Sequence, residues 1–171
     1  MILYLIRHTS VGVPSGMCYG QTDVPLNDSF EQEAEIVKQN LNGIQPDAVF
    51  SSPLSRCTRL ADFCGYNPAL DKRLMEMNFG DWEGKMWDEI DMSVWENDWV
   101  NPTAPGGESF RLMHKRIALF FDQLAQEPHK TVLIFTHGGV INCAHVYFDQ
   151  TDFQESFELK AGYGEIVRFE S

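Results

Sequence analysis

The chain has 171 residues, 43% of them hydrophobic and 22% charged, which is the composition of an ordinary globular protein, and we predict a single domain over residues 1–171. Its formal net charge of -12 argues against binding to nucleic acid or to an anionic membrane, because both attract clustered lysine and arginine. No apolar run is long enough to cross a bilayer and no charged leader precedes the first apolar stretch, so we expect a mature, soluble, cytoplasmic protein.

Four cysteines are scattered along the chain, at Cys18, Cys57, Cys64 and Cys143. They form no CxxC pair and have no histidine at a metal-binding spacing. This pattern favours reduced thiols in a cytoplasmic protein over a disulfide framework or a zinc site.

The chain begins with an apolar run, Met1–Ile6, that is followed directly by Arg7 and His8. A run without polar alternation is typical of a strand buried on both faces of a parallel sheet. Ligands collect at the carboxyl ends of such strands, so Arg7 and His8 would lie where sites form. Taken alone, the pair is more typical of a surface arginine and a half-buried histidine at a strand end.

A long loop and a helix are predicted next. Residues 9–27 are rich in glycine and proline, and loops of this length in compact domains are usually functional. Asp28 is a predicted helix cap, and the helix is expected to end near Leu41.

A second strand-to-helix junction follows at residues 48–64. The strand is predicted over residues 48–51, and Ser52-Pro53 is typical of a helix start. Arg56 would lie in the first turn of this helix, within reach of a ligand at the strand end. Arg59 is either a second ligand or a member of a surface ion pair.

The middle of the chain is aromatic and acidic. We predict a strand over residues 69–77, a turn over residues 80–84 and short helices over residues 87–99. All four tryptophans lie here, at Trp82, Trp87, Trp95 and Trp99. The spacing of the last two favours inward packing on one helical face. Alternatively, Trp82, Trp87 or Trp99 lines a pocket and stacks on an aromatic ligand.

The remaining elements complete the predicted fold. A long amphipathic helix over residues 108–125 precedes a second buried strand, residues 131–136, which ends on His137-Gly138-Gly139. Residues 157–160 and 166–169 are predicted as an antiparallel hairpin at a sheet edge. The order of elements predicts an α/β fold with three layers, helix-sheet-helix, whose central sheet is mostly parallel with an antiparallel edge strand.

Three predicted strand ends thus bring basic residues to one side of the sheet: Arg7, His8, Arg56 and His137. Arginine offers forked donors that match phosphoryl oxygens, and a Gly-Gly helix start offers free backbone N–H groups. Two histidines and two arginines without a metal-binding spacing indicate a phosphate site. A phosphate monoester carries about -1.5 to -2 charges at pH 7, so such a pocket can hold it despite the acidic exterior.

The chain resembles the histidine phosphatase, or phosphoglycerate mutase-like, superfamily. Four blocks carry the resemblance in order along nearly the whole chain: Leu5–Thr9, Ser51–Arg56, Met75–Gly84 and Thr136–Gly139. Within that superfamily, Met17–Leu26 is similar to the corresponding loop of alpha-ribazole phosphatases, a weaker match that poorly characterised relatives share.

The resemblance implies roles for the basic residues. His8 would be the nucleophile and would form a phosphohistidine intermediate. Arg7, Arg56 and His137 would neutralise charge on the transferring phosphoryl group, with Gly138 as a further substrate-binding residue.

The resemblance also assigns a carboxylate. Glu76 would protonate the leaving alkoxide and then activate water, with Glu83 as the weaker candidate for the same role. The chain departs from the family after Arg-His, where Thr9-Ser10-Val11 replaces the usual residues. Thr9 is the predicted substrate contact there, and the contributions of Ser10 and Ser15 stay open.

The resemblance implies a metal-independent phosphomonoesterase that needs no cofactor and acts on a small molecule, with alpha-ribazole 5'-phosphate, an intermediate in the assembly of the cobalamin lower ligand, as the leading substrate. A broad-specificity sugar or nucleotide phosphatase is the main alternative. A phosphoglycerate mutase ranks lower, because the chain lacks the extra segments that mutases use to retain a phosphorylated intermediate. A non-catalytic binding protein on the same fold also ranks lower. The oligomeric state cannot be deduced from these patterns.

Overall fold

The computed structural model describes the whole chain, residues 1–171, and contains one five-stranded sheet. The order across the sheet is β3-β2-β4-β1-β5, and every neighbouring pair is parallel except β1 and β5, which are antiparallel. The strands are β1 (Ile2–Arg7), β2 (Ala48–Ser51), β3 (Ala69–Leu70), β4 (Thr131–Thr136) and β5 (Ile166–Glu170).

Five α-helices and several single 3-10 turns connect the strands. None of the helices has the length and hydropathy of a membrane-spanning segment. The α-helices are α1 (Phe30–Asn40), α2 (Ser55–Phe63), α3 (Phe110–Leu124), α4 (Gly138–Phe148) and α5 (Phe153–Glu158). The 3-10 turns are Lys72–Leu74, Gly80–Trp82, Trp87–Glu89 and Ser93–Trp95.

The helices cover both faces of the sheet. Successive side chains of a strand point to opposite faces, so Leu5 of β1 packs with α3 and α4, whereas Ile6 packs with α1 and α2. Ile134 of β4 likewise packs with α3 and α4, and Phe135 packs with α1 and α2. The predicted fold class, three layers around a mostly parallel sheet with an antiparallel edge strand, is confirmed.

The predicted hairpin of residues 157–160 and 166–169 is wrong. The second segment belongs to β5, which pairs with β1, and the first lies at the end of α5. The side chain of Asp152 caps this helix by accepting a hydrogen bond from the backbone N–H three residues on, at 2.7 Å. Phe153 and Phe157, one helical turn apart, pack against α3. Burial of two aromatic rings on one face thus favours a helix over a strand.

The predicted strand over residues 69–77 is mostly wrong as well. Pairing stops after two residues, because Asp71 accepts a hydrogen bond from the backbone N–H of Arg73 at 2.8 Å and begins a 3-10 turn. The segment beyond the turn is therefore free to approach the sheet edge from a different direction, which brings Glu76 to α4.

Candidate active site

Three neighbouring parallel strands end at the same edge of the sheet and carry the basic residues that the sequence indicated. His8 follows β1, His137 follows β4, and Arg56 lies in the first turn of α2 after β2. The two imidazole rings are 5.2 Å apart between centroids, and Arg56 Nε lies 3.3 Å from His137 Nδ1. The structure therefore brings these predicted site residues together.

His8 is held in one tautomer. Its Nδ1 lies 2.7 Å from the carbonyl oxygen of Thr9, and a carbonyl can only accept, so Nδ1 carries the proton and Nε2 carries a free lone pair. The side chain is 2% exposed. Burial, with a further contribution from the Arg56 guanidinium, lowers the pKa of His8 to about 3. The ring is consequently neutral at physiological pH, and its Nε2 is free to act as a nucleophile.

Arg7 is a donor that the fold does not fully use. Its Nη1 donates to the carbonyl of Ala161 at 2.6 Å, and its guanidinium lies 4.1 Å from the ring centroid of Tyr163. The Nε group of Arg7 is buried and has no hydrogen-bond partner within the chain, and the same is true of the hydroxyl of Thr9. Because buried polar groups are nearly always paired, these two groups are suited to an anion beside His8.

Two tyrosines cover the guanidinium groups, and the sequence reasoning did not identify either of them. Tyr163 stacks on Arg7, and the Tyr19 ring lies 5.4 Å from the Arg56 guanidinium carbon. Their hydroxyls are hydrogen-bonded at 2.8 Å. Gly164, at φ +70°, allows the tight turn that presents Tyr163. Aromatic faces stabilise cations by about 0.5–2 kcal/mol, so the pair helps to hold both arginines in place.

Arg56 is fully buried and immobilised by three hydrogen bonds. Besides the bond from Nε to His137, it donates to the carbonyl of Gly20 at 2.6 Å and to that of Thr22 at 3.0 Å. A guanidinium has five N–H donors, so two remain for a ligand. The same bonds fix the long loop, residues 9–27, over the sheet edge.

His137 is neutral in this arrangement. Burial and the nearby Arg56 hold the pKa of His137 well below its ordinary value. Because Nδ1 accepts from Arg56, Nε2 carries the proton and donates to the hydroxyl of Ser52 at 2.8 Å. Ser52 thus serves the site rather than capping α2, which begins three residues later, at Ser55. His137 orients Arg56 here and adds no charge of its own.

Glu76 reaches the start of α4. Its carboxylate accepts hydrogen bonds from the backbone N–H of Met77 at 2.9 Å and of Gly139 at 3.1 Å. A side chain at Gly139 would overlap this carboxylate, so the second glycine of the Gly-Gly pair is required by a close approach. Gly138 is not constrained in this way, since a Cβ there would make an ordinary contact with the guanidinium of Arg7 at 3.4 Å.

Arg116 and Glu108 position Glu76, and the sequence reasoning missed both. Arg116 donates to the backbone carbonyl of Glu76 at 2.9 Å and also to the carbonyls of Arg73 and Met75. It forms an ion pair with Glu108 at 2.6 Å. On a long amphipathic helix an arginine ordinarily faces solvent, so no local pattern distinguished this one.

Three other candidates have structural contacts instead. Glu83 accepts from the backbone of Gln21 at 2.8 Å and of Thr22 at 2.6 Å, which fastens the long loop, so the geometry favours Glu76 for proton transfer. Ser10 donates to Glu33 of α1. Arg59 is exposed and lies 5.8 Å from the ring of Phe30, and it is neither a ligand at the sheet edge nor part of an ion pair.

A cleft of about 260 Å³ opens at this site and has two ends. Arg7, His8 and Glu76 form its polar end, which we call the phosphate end. Its other end is apolar and continues into a second cleft of about 500 Å³; we call this the aromatic end. The rings and apolar side chains that line the aromatic end are Met77, Phe79, Trp87, Met92, Trp95, Trp99, Phe110 and Phe157.

The tryptophans divide between cleft and core. Trp87 lines both clefts, and Trp95 and Trp99 line the second one. Trp82 is 5% exposed, packs edge to face on Trp95 with centroids 4.8 Å apart, and lies outside both clefts. The pocket-lining interpretation therefore fits Trp87 and Trp99 and not Trp82. The predicted packing of Trp95 and Trp99 on one helical face is wrong, because Trp95 ends the 3-10 turn Ser93–Trp95 and Trp99 lies outside any helix.

Comparison with known proteins agrees with this geometry. A family model described as "Histidine phosphatase superfamily (branch 1)" matches residues 3–171. "Putative phosphoserine phosphatase 2" of Hydrogenobacter thermophilus is 28% identical over 82% of this chain and 74% of that protein. A "Probable phosphoglycerate mutase" of Yersinia pestis is 28% identical over 82% of this chain and 71% of that one. The crystal structure of "a putative alpha-ribazole-5'-P phosphatase" from Escherichia coli has the same fold, with a TM-score of 0.89 at 24% identity over 98% of this chain and 89% of that one.

Proposed function

We infer that this chain, which belongs to the histidine phosphatase superfamily, cleaves small-molecule phosphate monoesters through a phosphohistidine on His8. The observation that carries the proposal is the bond from His8 Nδ1 to the Thr9 carbonyl, because it leaves Nε2 unprotonated. Burial keeps the ring neutral, and Arg7 and Arg56 stand beside it as permanent cations. A neutral imidazole between fixed cations is suited to attack on an anionic phosphoryl group.

The first step forms one bond and breaks another. Nε2 of His8 attacks phosphorus, the P–O bond to the alcohol breaks, and Glu76, which enters this step as the protonated acid, gives its proton to the departing oxygen and becomes a carboxylate. The free N–H groups of Arg7 and Arg56 take up the charge of the phosphoryl oxygens. For His137 to contribute as well, its Nε2–H must exchange the Ser52 hydroxyl for a phosphoryl oxygen.

The second step uses the same carboxylate as a base. Glu76 removes a proton from water, the water oxygen attacks phosphorus, and the N–P bond breaks to release inorganic phosphate. Backbone N–H groups from Met77 and Gly139 hold the carboxylate in place for both steps. No step calls for a metal ion, which is why we propose a metal-independent enzyme.

We propose alpha-ribazole 5'-phosphate as the substrate. Its leaving group carries a flat aromatic base, and the aromatic end of the cleft offers Trp87, Phe110 and Phe157 for it. Arg7 is the only arginine or lysine that lines the first cleft, and Lys160 lies at the second one. A carboxylate such as that of phosphoserine or phosphoglycerate therefore has no cation of its own beside Glu76.

The alternatives are ranked by the same features. A broad-specificity sugar or nucleotide phosphatase is the second candidate, because the basic residues of the phosphate end are suited to the phosphoryl group that all monoesters share. A phosphoglycerate mutase is disfavoured by the missing cation, and a non-catalytic binding protein by the fixed tautomer of His8. The four unpaired cysteines, three of them buried, support the proposal of a cytoplasmic protein.

The test of mechanism is hydrolysis of p-nitrophenyl phosphate in excess EDTA. We expect turnover by the wild type, a loss on the order of 10⁴-fold or more in His8→Asn, and an acid-labile, base-stable phosphoenzyme only in the wild type. His145→Asn is the matched control, since it makes the same substitution at a histidine of α4 that pairs with Asp149 at 2.7 Å and does not line the cleft. Activity that disappears with EDTA, or survives in His8→Asn, contradicts the mechanism.

The test of substrate is kcat/KM over a panel. Alpha-ribazole 5'-phosphate is expected to exceed ribose 5-phosphate, phosphoserine and 3-phosphoglycerate. A higher value for either of the two carboxylated substrates would eliminate the proposed substrate but leave the mechanism intact.

A further inference from the structure

Asn142 is a buried polar residue that the reaction described above does not use. It lies on α4, three residues after Gly139, and its side chain is 8% exposed. The small exposed part opens to the first cleft, which Glu76 also lines. Hydrogen bonds join other residues of α4 to side chains, at Gly139, His145 and Tyr147, but the carboxamide of Asn142 makes none within the chain.

The surroundings of Asn142 do not explain a polar side chain. The wall of the cleft around it is formed by Phe110, Met113 and Phe157. The carboxamide of Asn142 has no hydrogen-bond partner in the chain, yet it is not among the polar atoms that the fold buries without a partner, so it is reached from the cleft. An apolar residue of equal volume would pack on this wall just as well. The amide is therefore suited to a ligand in the cleft.

Its position identifies the part of the ligand that it meets. Gly139 donates a hydrogen bond to the carboxylate of Glu76, which the proposed mechanism places at the ester oxygen. Residues three apart on a helix lie about 5–6 Å from each other on one face. Asn142 therefore lies about one helical turn beyond Gly139, the residue that holds Glu76, and so further from His137, which precedes α4. It is near the leaving group and away from the phosphoryl group. A carboxamide both donates and accepts, as does a hydroxyl group.

We propose that Asn142 is a specificity-determining residue whose carboxamide hydrogen-bonds a hydroxyl group of a sugar-type leaving group. The proposal rests on the proposed phosphatase function and adds the polar contact that the aromatic end lacks. It divides the leaving group into a hydroxylated part beside Asn142 and a flat part beyond it.

The test compares Asn142→Leu with the wild type on two substrates. For ribose 5-phosphate, whose leaving group carries hydroxyls, kcat/KM is expected to fall about ten- to hundredfold. For p-nitrophenyl phosphate, which has none, it is expected to stay within about twofold. Met113→Leu is the matched control, because it changes the same cleft without removing a polar group. It should change kcat/KM for both substrates by the same factor. Equal losses for both substrates in Asn142→Leu, or an unchanged value for ribose 5-phosphate, would overturn the proposal.

Two further measurements separate this proposal from the proposed function. In a His8→Asn background, calorimetry should show weaker binding of ribose 5-phosphate after Asn142→Leu and unchanged binding of phenyl phosphate, whatever the turnover. Failure of the wild type to hydrolyse p-nitrophenyl phosphate would sink the mechanism, and these isotherms would still decide the role of Asn142. The Tm of Asn142→Leu should equal or exceed that of the wild type, and a lower Tm with equal binding losses assigns the amide a structural role instead.

Discussion

The two ends of the cleft are built in different ways. At the phosphate end, His8 is 2% exposed and is hydrogen-bonded to the carbonyl of Thr9. Arg56 and His137 lie next to His8 but outside the cleft lining, and both are fully buried and hydrogen-bonded. At the aromatic end, Trp87 and Trp99 are half-buried and come from short 3-10 turns and loops. Under the proposed function, a buried and hydrogen-bonded end that would recognise the group common to all phosphate monoesters is joined to an irregular end that would contact the variable alcohol. The residues proposed for catalysis follow the strands of the sheet, whereas the residues proposed to select the substrate lie in the loops and turns that connect the strands.

The long loop, residues 9–27, is the exception that connects the two ends. It lacks regular structure, yet its carbonyls hold Arg56, and the backbone of its Gly20 lies against that of Met77 so closely that a side chain would overlap. The loop therefore belongs to the phosphate end by its contacts. Irregular backbone becomes rigid where a buried cation binds its carbonyl groups.

Glu76 stands at the boundary, and its replacement should have the largest substrate-dependent effect. In Glu76→Gln, kcat for an alkyl phosphate should fall by about 10²–10⁴-fold, because the departing alkoxide needs a proton. Nitrophenolate departs without one, so p-nitrophenyl phosphate should give a burst of one equivalent followed by slow turnover. Rapid-mixing absorbance measurements check this.

Glu83→Gln is the matched control for that experiment. It weakens the anchor of the long loop, so we expect a lower Tm and the same proportional loss of kcat for both substrates, without a burst. A burst in Glu83→Gln, or the lack of one in Glu76→Gln, would show that the assignment of proton transfer to Glu76 is wrong.

The phosphate end could largely be predicted from the sequence because its determinants are local. The apolar runs of β1 and β4 are continuous, and each ends directly on a histidine, so the sheet order alone places His8 beside His137. The predicted class of enzyme, a phosphatase of the histidine type, is confirmed by the family match over residues 3–171. The neutral state of His137 could not be predicted, since it follows from burial against Arg56.

The aromatic end could not be predicted in the same way. Residues 157–160 alternate as a strand does, and only the packing of Phe157 on α3 decides for a helix. Arg116 acts on a carbonyl 40 residues away in the chain, a contact that no local pattern encodes. Asn142 has an ordinary place in a helix, and only the lack of a partner in the folded chain distinguishes it.

The buried histidines should also make the phosphate end the acid-sensitive part of the molecule. An unfolded histidine has a pKa of about 6.5, and the folded pKa of His8 is about 3, so the unfolded chain binds more protons between these values. The free energy of unfolding should therefore fall as the pH is lowered through this window. Between pH 7 and 5 the loss is about 2 kcal/mol for His8, and His137 adds a loss of the same sign.

Urea unfolding at pH 7, 6 and 5 measures this slope. His8→Asn should lower it by about 1.4 kcal/mol per pH unit below pH 6, because asparagine does not titrate. The window above pH 5 avoids most of the carboxylate titration. A slope that is identical in the wild type and in His8→Asn would contradict the neutral, buried state on which the mechanism depends.

The smallest expected effect belongs to the aromatic end. Trp87 lines both clefts and packs edge to face on Phe79 with centroids 5.1 Å apart. An aromatic contact contributes about 0.5–1.5 kcal/mol beyond its buried area, so Trp87→Leu should lower kcat/KM for alpha-ribazole 5'-phosphate about three- to tenfold. The value for ribose 5-phosphate, which lacks the base, should stay within about twofold.

Trp82→Leu is the control, because Trp82 is buried outside the clefts and its loss should lower Tm without changing the ratio of the two kcat/KM values. Trp99→Leu should change the ratio less than Trp87→Leu, since Trp99 lines only the second cleft. If the ratio in Trp87→Leu equals that of the wild type, the base does not bind between these rings. The aromatic end then serves to pack the connections, and the choice of substrate depends on the hydroxylated part of the leaving group beside Asn142.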